Sequence, residues 1–408
     1  MKPLTVGDTV TLAPLTSIRF FAALHIFIFH IDASRAMGTT DLTRYPIFDQ
    51  IPSWMQNLVR HGYCSTSLFF ILSGFILTYL YVNAAGEVTV PWRTFLFARF
   101  SRLYPLHILL VLALVPVAMG FQRPDPTFFT IPISSTDYVV IGLLLSITLT
   151  QAWVPEFALS YNFPTWSLSA IVFCYVLFPF TARCISSLST KTQRVAMLAL
   201  PCIALLPSIV YRLLVPVEEP LSVSSEFVMR TPLFWWPHFA MGMLLARLFN
   251  ITRYDTAWKR VGVSRRPVSA GDLAALALLA IFCLDDSTLR TIFCFDLAEP
   301  HLFIRHGLLS PLYWVLIYDL AQGRGILAKL LAWRPLELLG EASFSIFMWQ
   351  LPAFILAFIL GTIWPWGSGS FVILLTVILI GVSLFSVRLF EKPVGNWLKR
   401  KVISAEPR

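Results

Sequence analysis

Apolar runs and short polar connections alternate along the whole chain. The runs lie near residues 17–33, 66–83, 103–121, 137–154, 166–182, 195–215, 232–249, 270–284, 302–321, 338–360 and 370–389. A helix needs roughly 20 apolar residues to cross the hydrocarbon of a bilayer. Against that length the pattern predicts an all-α fold, a polytopic membrane helical bundle.

Charged residues decide how the runs are threaded. Basic side chains cluster at Arg93, Arg99 and Arg102, at Arg183, Lys191 and Arg194, and at Arg247, Arg253, Lys259, Arg260, Arg265 and Arg266. Further groups are Arg324, Lys329 and Arg334, then Lys392, Lys399, Arg400 and Lys401. Alternate connections carry Glu218, Glu219 and Glu226, then Asp285, Asp286, Asp296 and Glu299, and the one from Trp364 to Ser370 is uncharged. Cytoplasmic loops hold the excess of Lys and Arg, so the basic clusters from residue 183 onward go inside, and both termini with them. An even number of crossings follows. The weakest run lies between Pro116 and Pro164, crowded by Pro124, Pro126, Pro132 and Pro155. The expectation is about ten transmembrane helices, with residues 137–154 re-entrant or non-spanning. Eleven true spans with one inverted loop charge is the competing arrangement. The predicted organisation is a cytoplasmic N-terminus at 1–14, a membrane domain at 15–392 and a cytoplasmic tail at 393–408.

Composition agrees. Hydrophobic residues make up 57% of the 408 and charged residues only 13%, against about 25% charged in a soluble domain. The net charge of +9 sits largely in the connections, where it reports orientation and not a nucleic-acid partner. The short polar N-terminus and the charges kept by the first span do not read as a cleaved signal peptide. The six cysteines show no metal-ligand spacing, so no metal is expected. Cys283 and Cys294 could pair if their loop meets an oxidising space; a free, buried pair is the other reading.

The first span, LTSIRFFAALHIFIFHID from Leu15 to Asp32, carries Arg19, His25 and His30. Each ionisable group inside a membrane costs roughly 2.5–3.5 kcal/mol on insertion scales, which makes such groups functional candidates. Arg19 and His30 fall within about 20° of one another around a helix and about 16 Å apart along it. One stripe thus holds a permanent cation and an imidazole, while His25 lies off it. Arg99 and Arg102 share a helix face, and two guanidiniums there suit phosphate groups. The competing readings are that Arg19 snorkels at the membrane edge and His30 makes a buried hydrogen bond, and that Arg99 and Arg102 are ordinary positive-inside anchors.

The R-x10-H pattern of Arg19 and His30 is followed by GYCSTSLFFILSGFILTYLY, RFSRLYPL, NFPTWSLSAIVFCYVLFP, LGEASFSIFMWQLP and RLFEKPVGNWL. In this order and along the whole chain, the series resembles the acyltransferase 3 family of integral membrane acyltransferases. The resemblance implies transfer of an acyl group, most often acetyl, from cytoplasmic acyl-CoA to a hydroxyl of a cell-surface glycan or related acceptor across the inner membrane. It implies His30 as the catalytic residue with Arg19 as its partner, and Arg99 and Arg102 near the donor. Acyl-CoA would be a co-substrate, with no bound cofactor. Ser73, Trp166, Ser167, Glu341 and Gln350 are candidates for support. Glu341 could instead sit in a plain buried ion pair. Arg230, Trp235, His238, Arg305 and His306 could line an acceptor vestibule, with interfacial anchoring as the cheaper account of the tryptophans. Two positions depart from the family: Ile171 stands where a glutamate is usual, and Trp349-Gln350 where many relatives have W-H. Acylation of a lipid or natural product, or a non-catalytic transporter or binding protein on the same scaffold, are the alternatives.

Overall fold

The computed structural model describes residues 12–36, 50–83, 85–120, 127–128, 131–132, 134–215, 223–254, 268–293, 300–363 and 368–403. Glu218, Glu219, Lys259, Arg260, Arg265, Arg266, Cys294, Asp296, Glu299 and Trp364 lie outside the described residues. Among the described residues the chain is helical apart from a two-residue antiparallel ladder pairing Thr127–Phe128 with Ile131–Pro132.

The first half contributes Ala13–Ala36 (α1), Ser53–Arg60 (α2), Ser65–Tyr81 (α3), Trp92–Ala113 (α4), Ser135–Ile147 (α5), Trp166–Ser187 (α6) and Thr190–Leu214 (α7). The second half contributes Val223–Arg230 (α8), Pro232–Tyr254 (α9), Ala270–Phe282 (α10), Ser310–Ala321 (α11), Arg334–Glu341 (α12), Ser343–Met348 (α13), Gln350–Ile363 (α14), Ser368–Ser386 (α15) and Lys392–Ile403 (α16). Starts are fixed where the sequence supplies a cap. Ser134 accepts from the Asp137 amide and Ser189 from the Thr192 amide, while Ser269 and Asp272 form a reciprocal capping box at α10. Pro105, Pro179, Pro201, Pro207 and Pro237 sit inside helices, as membrane helices tolerate.

Six described segments are long and apolar enough to cross a bilayer: Ala13–Ala33, Ser53–Tyr81, Trp92–Met119, Phe163–Ser187, Thr190–Leu214 and Ser370–Lys401. The chain is a multi-pass membrane protein. The expected count of about ten is not reached by this criterion, for reasons visible in the remaining runs. The run 338–360 is divided among α12, α13 and α14, and 302–321 breaks at His306–Gly307. The helices α5 and α10, of 13 residues each, measure about 20 Å against a hydrocarbon core of about 30 Å. After α5 the chain turns through Leu149, at φ 57°, into short 3-10 turns Gln151–Trp153, Pro155–Phe157 and Phe163–Thr165. Residues 137–154 thus contain a short helix followed by folded-back chain.

At the centre α3 crosses α9 at close range. A Cβ on Gly74 would overlap the Phe239 carbonyl, and one on Gly242 would overlap the Ile71 carbonyl. Small residues let backbones approach where lipid provides no hydrophobic drive between helices. The helix α9 also packs on α6 and α7, and α1 on α3, α12 and α13. Phe75, Phe178, Phe239 and Trp235 fill the main core, and Phe27, Phe354 and Phe371 join α1 to α14 and α15. On α7, Leu198, Leu206 and Leu213 are exposed. Those side chains have nowhere apolar to go except lipid.

Candidate active site

Two helices bring three cations to one place. Arg19 of α1, with Arg99 and Arg102 of α4, lines a cavity of about 150 Å³ together with Ser73, Ser167, Ile171, Tyr175 and Ser343. The three-residue spacing puts Arg99 and Arg102 on one face of α4. Arg99 donates to the Tyr81 hydroxyl at 2.8 Å and lies over the Tyr81 ring at 5.3 Å. Arg102 remains exposed, as a side chain on a cavity wall should. Glu391 and Glu341 are within electrostatic range of it. Glu391 accepts from Ser345 and Ser386, joining the turn before α16 to α13. Glu341 pairs with Lys392 at 2.7 Å; the pair is exposed and not the buried one expected, because Lys392 opens α16 at the edge of the bundle. Ile171 lines the same cavity and presents no polar atom to the guanidiniums.

His30 does not line that cavity. Ile26, one turn earlier on α1, does, so the imidazole lies about 6 Å further along the axis. The His30 Nδ1 is 2.7 Å from Gln350 Oε1. An amide oxygen only accepts, so with this amide orientation Nδ1 carries the hydrogen and Nε2 keeps the basic lone pair. The ring meets Phe163 edge-on at 4.7 Å. Gln350 opens α14 just after Trp349, where the helix is interrupted. Asn162 donates to the Met348 carbonyl at 3.0 Å, and Gln151 donates to the Thr165 carbonyl at 3.0 Å. The first bond pins the folded-back segment against the interruption, and the second closes that segment on itself. His25 serves elsewhere: its Nε2 bonds the Leu58 carbonyl at 2.7 Å and its Nδ1 meets the Ser65 hydroxyl at 3.0 Å. It ties α1 to α2 and the start of α3.

Beyond His30, at the end opposite Arg19, a second polar group gathers. Trp235 packs against His238 at 5.2 Å, His306 at 5.0 Å and Trp166 at 5.2 Å. Arg305 lies 4.8 Å over the Tyr63 ring, and Arg230 pairs with Glu226. Trp235, His238 and His306 thus pack on one another, Arg305 precedes His306 in the chain, and Arg230 is within electrostatic range of Arg305. Interfacial anchoring of Trp235 is corrected: the ring is fully buried, because it packs in the core against the tilted Phe70 ring at 4.8 Å and donates from Nε1 to the Met229 carbonyl.

Sequence reasoning missed Tyr63, Tyr175, Asn162 and Phe163. All four lie within the quoted motifs, but nothing local singles them out, and only the fold carries them to the site. Gln350 was legible as a polar residue in an apolar run, but its partner, 320 positions earlier, was not. Among the described residues no group of three or more His, Cys, Asp and Glu gathers as metal ligands would. Cys283 is free and half-buried. Outside the spans, burial raises the pKa of the Glu156 carboxyl from its ordinary value.

Comparison with known proteins gives a consistent result. The profile of Acyl_transf_3, described as an acyltransferase domain, matches residues 14–388. "Acyltransferase MdmB" of Streptomyces mycarofaciens is 32% identical over 184 residues, covering 45% of this chain and 42% of that protein. "Putative peptidoglycan O-acetyltransferase YrhL" of Bacillus subtilis (strain 168) is 24% identical over 400 residues, covering 93% of this chain and 54% of that one. "Protein 2 in picA locus" of Rhizobium radiobacter is 32% identical over 153 residues, covering 36% of this chain and 77% of that one. The chain spans about half the length of the first two relatives. No solved structure matches it.

Proposed function

We propose, given that the chain belongs to this acyltransferase family, that it moves an acyl group, acetyl in the first instance, from a cytoplasmic acyl-CoA to a hydroxyl of a cell-surface glycan or related extracytoplasmic acceptor. One observation carries the reading: three guanidiniums line a single cavity one helical turn short of an imidazole whose Nδ1 is tied to an amide oxygen.

Each part has a task. Arg99 and Arg102, with Arg19, hold the phosphates of the donor, because a guanidinium grips such oxygens in pairs. The donor's pantetheine chain is long enough to carry its thioester past Ile26 towards His30. There the Nε2 lone pair takes the hydroxyl proton as the acceptor oxygen attacks the thioester carbonyl. The C–S bond breaks, the new ester forms, and the imidazolium returns the proton to the leaving sulfur. An acyl-imidazole intermediate would use the same nitrogen as nucleophile. Gln350 fixes the tautomer in either case. Cytoplasmic termini and a donor cavity open to the cytoplasm complete this arrangement.

The test follows labelled acetyl-CoA in membranes containing the protein, scoring label transferred to surface glycan and label released by thioester hydrolysis. His30→Ala is expected to lower transfer by about 10²–10⁴-fold, the usual contribution of a general base. A mutant that transfers at the wild-type rate removes His30 from the chemistry.

A further inference from the structure

The arginines beyond His30 have no task in the reaction as written. Arg305 is nine-tenths buried, and its Nε has no hydrogen-bond partner. Among the described residues no carboxylate pairs with it; its guanidinium instead rests over the Tyr63 ring. A ring face attracts a cation but cannot accept the five N–H bonds a guanidinium offers. A buried charge left so incompletely paired is costly. Arg230, the second cation, lies within electrostatic range of Arg305 and pairs with Glu226, so the two arginines together keep one positive charge in excess.

The backbone is also built for a site here. The helical path from Pro300 to Ala321 breaks at His306 (φ −101°, ψ 64°) and Gly307 (φ 107°). A Cβ on Gly307 would come 2.7 Å from the Pro201 carbonyl, so both the left-handed conformation and the close approach require glycine. Ser67 donates to the Arg305 carbonyl beside the break. Irregular backbone at membrane depth is tolerated where it is buried in protein or lines a cavity, and broken helices recur at substrate sites of membrane proteins. The place adjoins the reacting centre. His30 packs on Phe29 at 5.3 Å, Phe29 on Tyr63 at 5.7 Å, and Tyr63 lies under Arg305.

We propose that Arg305 and Arg230 form an anion subsite for the acceptor, so that the hydroxyl acylated at His30 belongs to a molecule carrying a carboxylate or phosphate nearby. This rests on the acyltransferase reading above. The anion cannot be the donor's: the thioester end of acyl-CoA is uncharged, and its phosphates go to the arginines at the other end of α1.

The experiment uses the full chain in lipid nanodiscs without acyl-CoA and reads binding by thermal shift across titrations of glucuronate, glucose 1-phosphate and glucose. A saturable shift with glucuronate selects the carboxylate, and one with glucose 1-phosphate the phosphate; glucose is expected to do nothing. Arg305→Gln should weaken the response about tenfold or more, as expected when a charge-assisted contact is lost. Arg305→Lys should weaken it less. Arg324→Gln, exposed and remote, should bind as wild type does. Should Arg305→Gln fail to fold, Arg230→Gln is read in the same way. An equal response to glucose, no saturable response to either anion, or an undiminished response in the Gln variants overturns the subsite. Because no acyl transfer is measured, that result is separate from the fate of His30→Ala.

Discussion

The Nδ1 of His30 lies 2.7 Å from the side-chain oxygen of Gln350, and the two residues are 320 positions apart in the chain. The bond joins the imidazole of α1 to the first residue of α14 at a helix interruption. Gln350→Leu keeps the bulk and removes the acceptor. A net hydrogen bond of about 0.5–1.5 kcal/mol corresponds to as much as about tenfold in rate. Turnover should fall by that amount while KM for acyl-CoA stays near wild type, in steady-state assays with labelled acetyl-CoA. A change in KM alone would assign Gln350 to donor binding.

The two arginines of α4 should act on the donor and not on the chemical step. Arg102→Lys keeps the charge but loses the planar fork. It should raise KM for acetyl-CoA severalfold, and Arg102→Gln should raise it about tenfold, the scale of one lost charge-assisted bond. At saturating donor, turnover should remain within a few-fold of wild type. Titration of KM and kcat for each variant separates the two effects.

Close approach of α3 and α9 predicts a stability defect remote from the chemistry. Gly242→Leu drives a side chain into the Ile71 carbonyl, and the backbones must separate. Overpacking of this kind costs typically about 1–3 kcal/mol, sometimes more. Reduced yield of folded protein and a lower unfolding temperature in detergent are expected. Leu198→Ala, on the exposed face of α7, should change neither.

Glu156 gives a pH dependence with a definite sign. Burial raises its folded pKa, so the folded state binds the proton more tightly than the unfolded chain does. Its contribution is therefore greatest at low pH and declines as pH rises through the unfolded pKa towards the folded one. Glu156→Gln should unfold at a higher temperature than wild type at neutral pH. The difference should shrink as pH falls through the carboxylate range. A difference independent of pH would remove the carboxyl's charge as the cause.

Much of this site could be read from order and spacing alone. R-x10-H placed Arg19 and His30 on one stripe because helix geometry is periodic, and R-x-x-R placed Arg99 and Arg102 together for the same reason. Glu341 was legible as an ion-pair candidate, though not its partner Lys392. Harder to see was the division of labour along α1: the arginine cavity ends at Ile26, and His30 belongs to the next layer.

The sequence by itself determined the membrane setting, the helical class, the two cationic positions on α4 and the basic ring on α1. Each of these depends on local periodicity and on the cost of placing polar groups among apolar ones. Only the tertiary structure decided that Gln350 holds His30, that Trp235 is core and not an interfacial anchor, and that the runs 302–321 and 338–360 are broken, the second at the residue that bonds His30. Those facts depend on contacts between residues far apart in the chain, and on backbone breaks whose freed groups find partners on neighbouring elements.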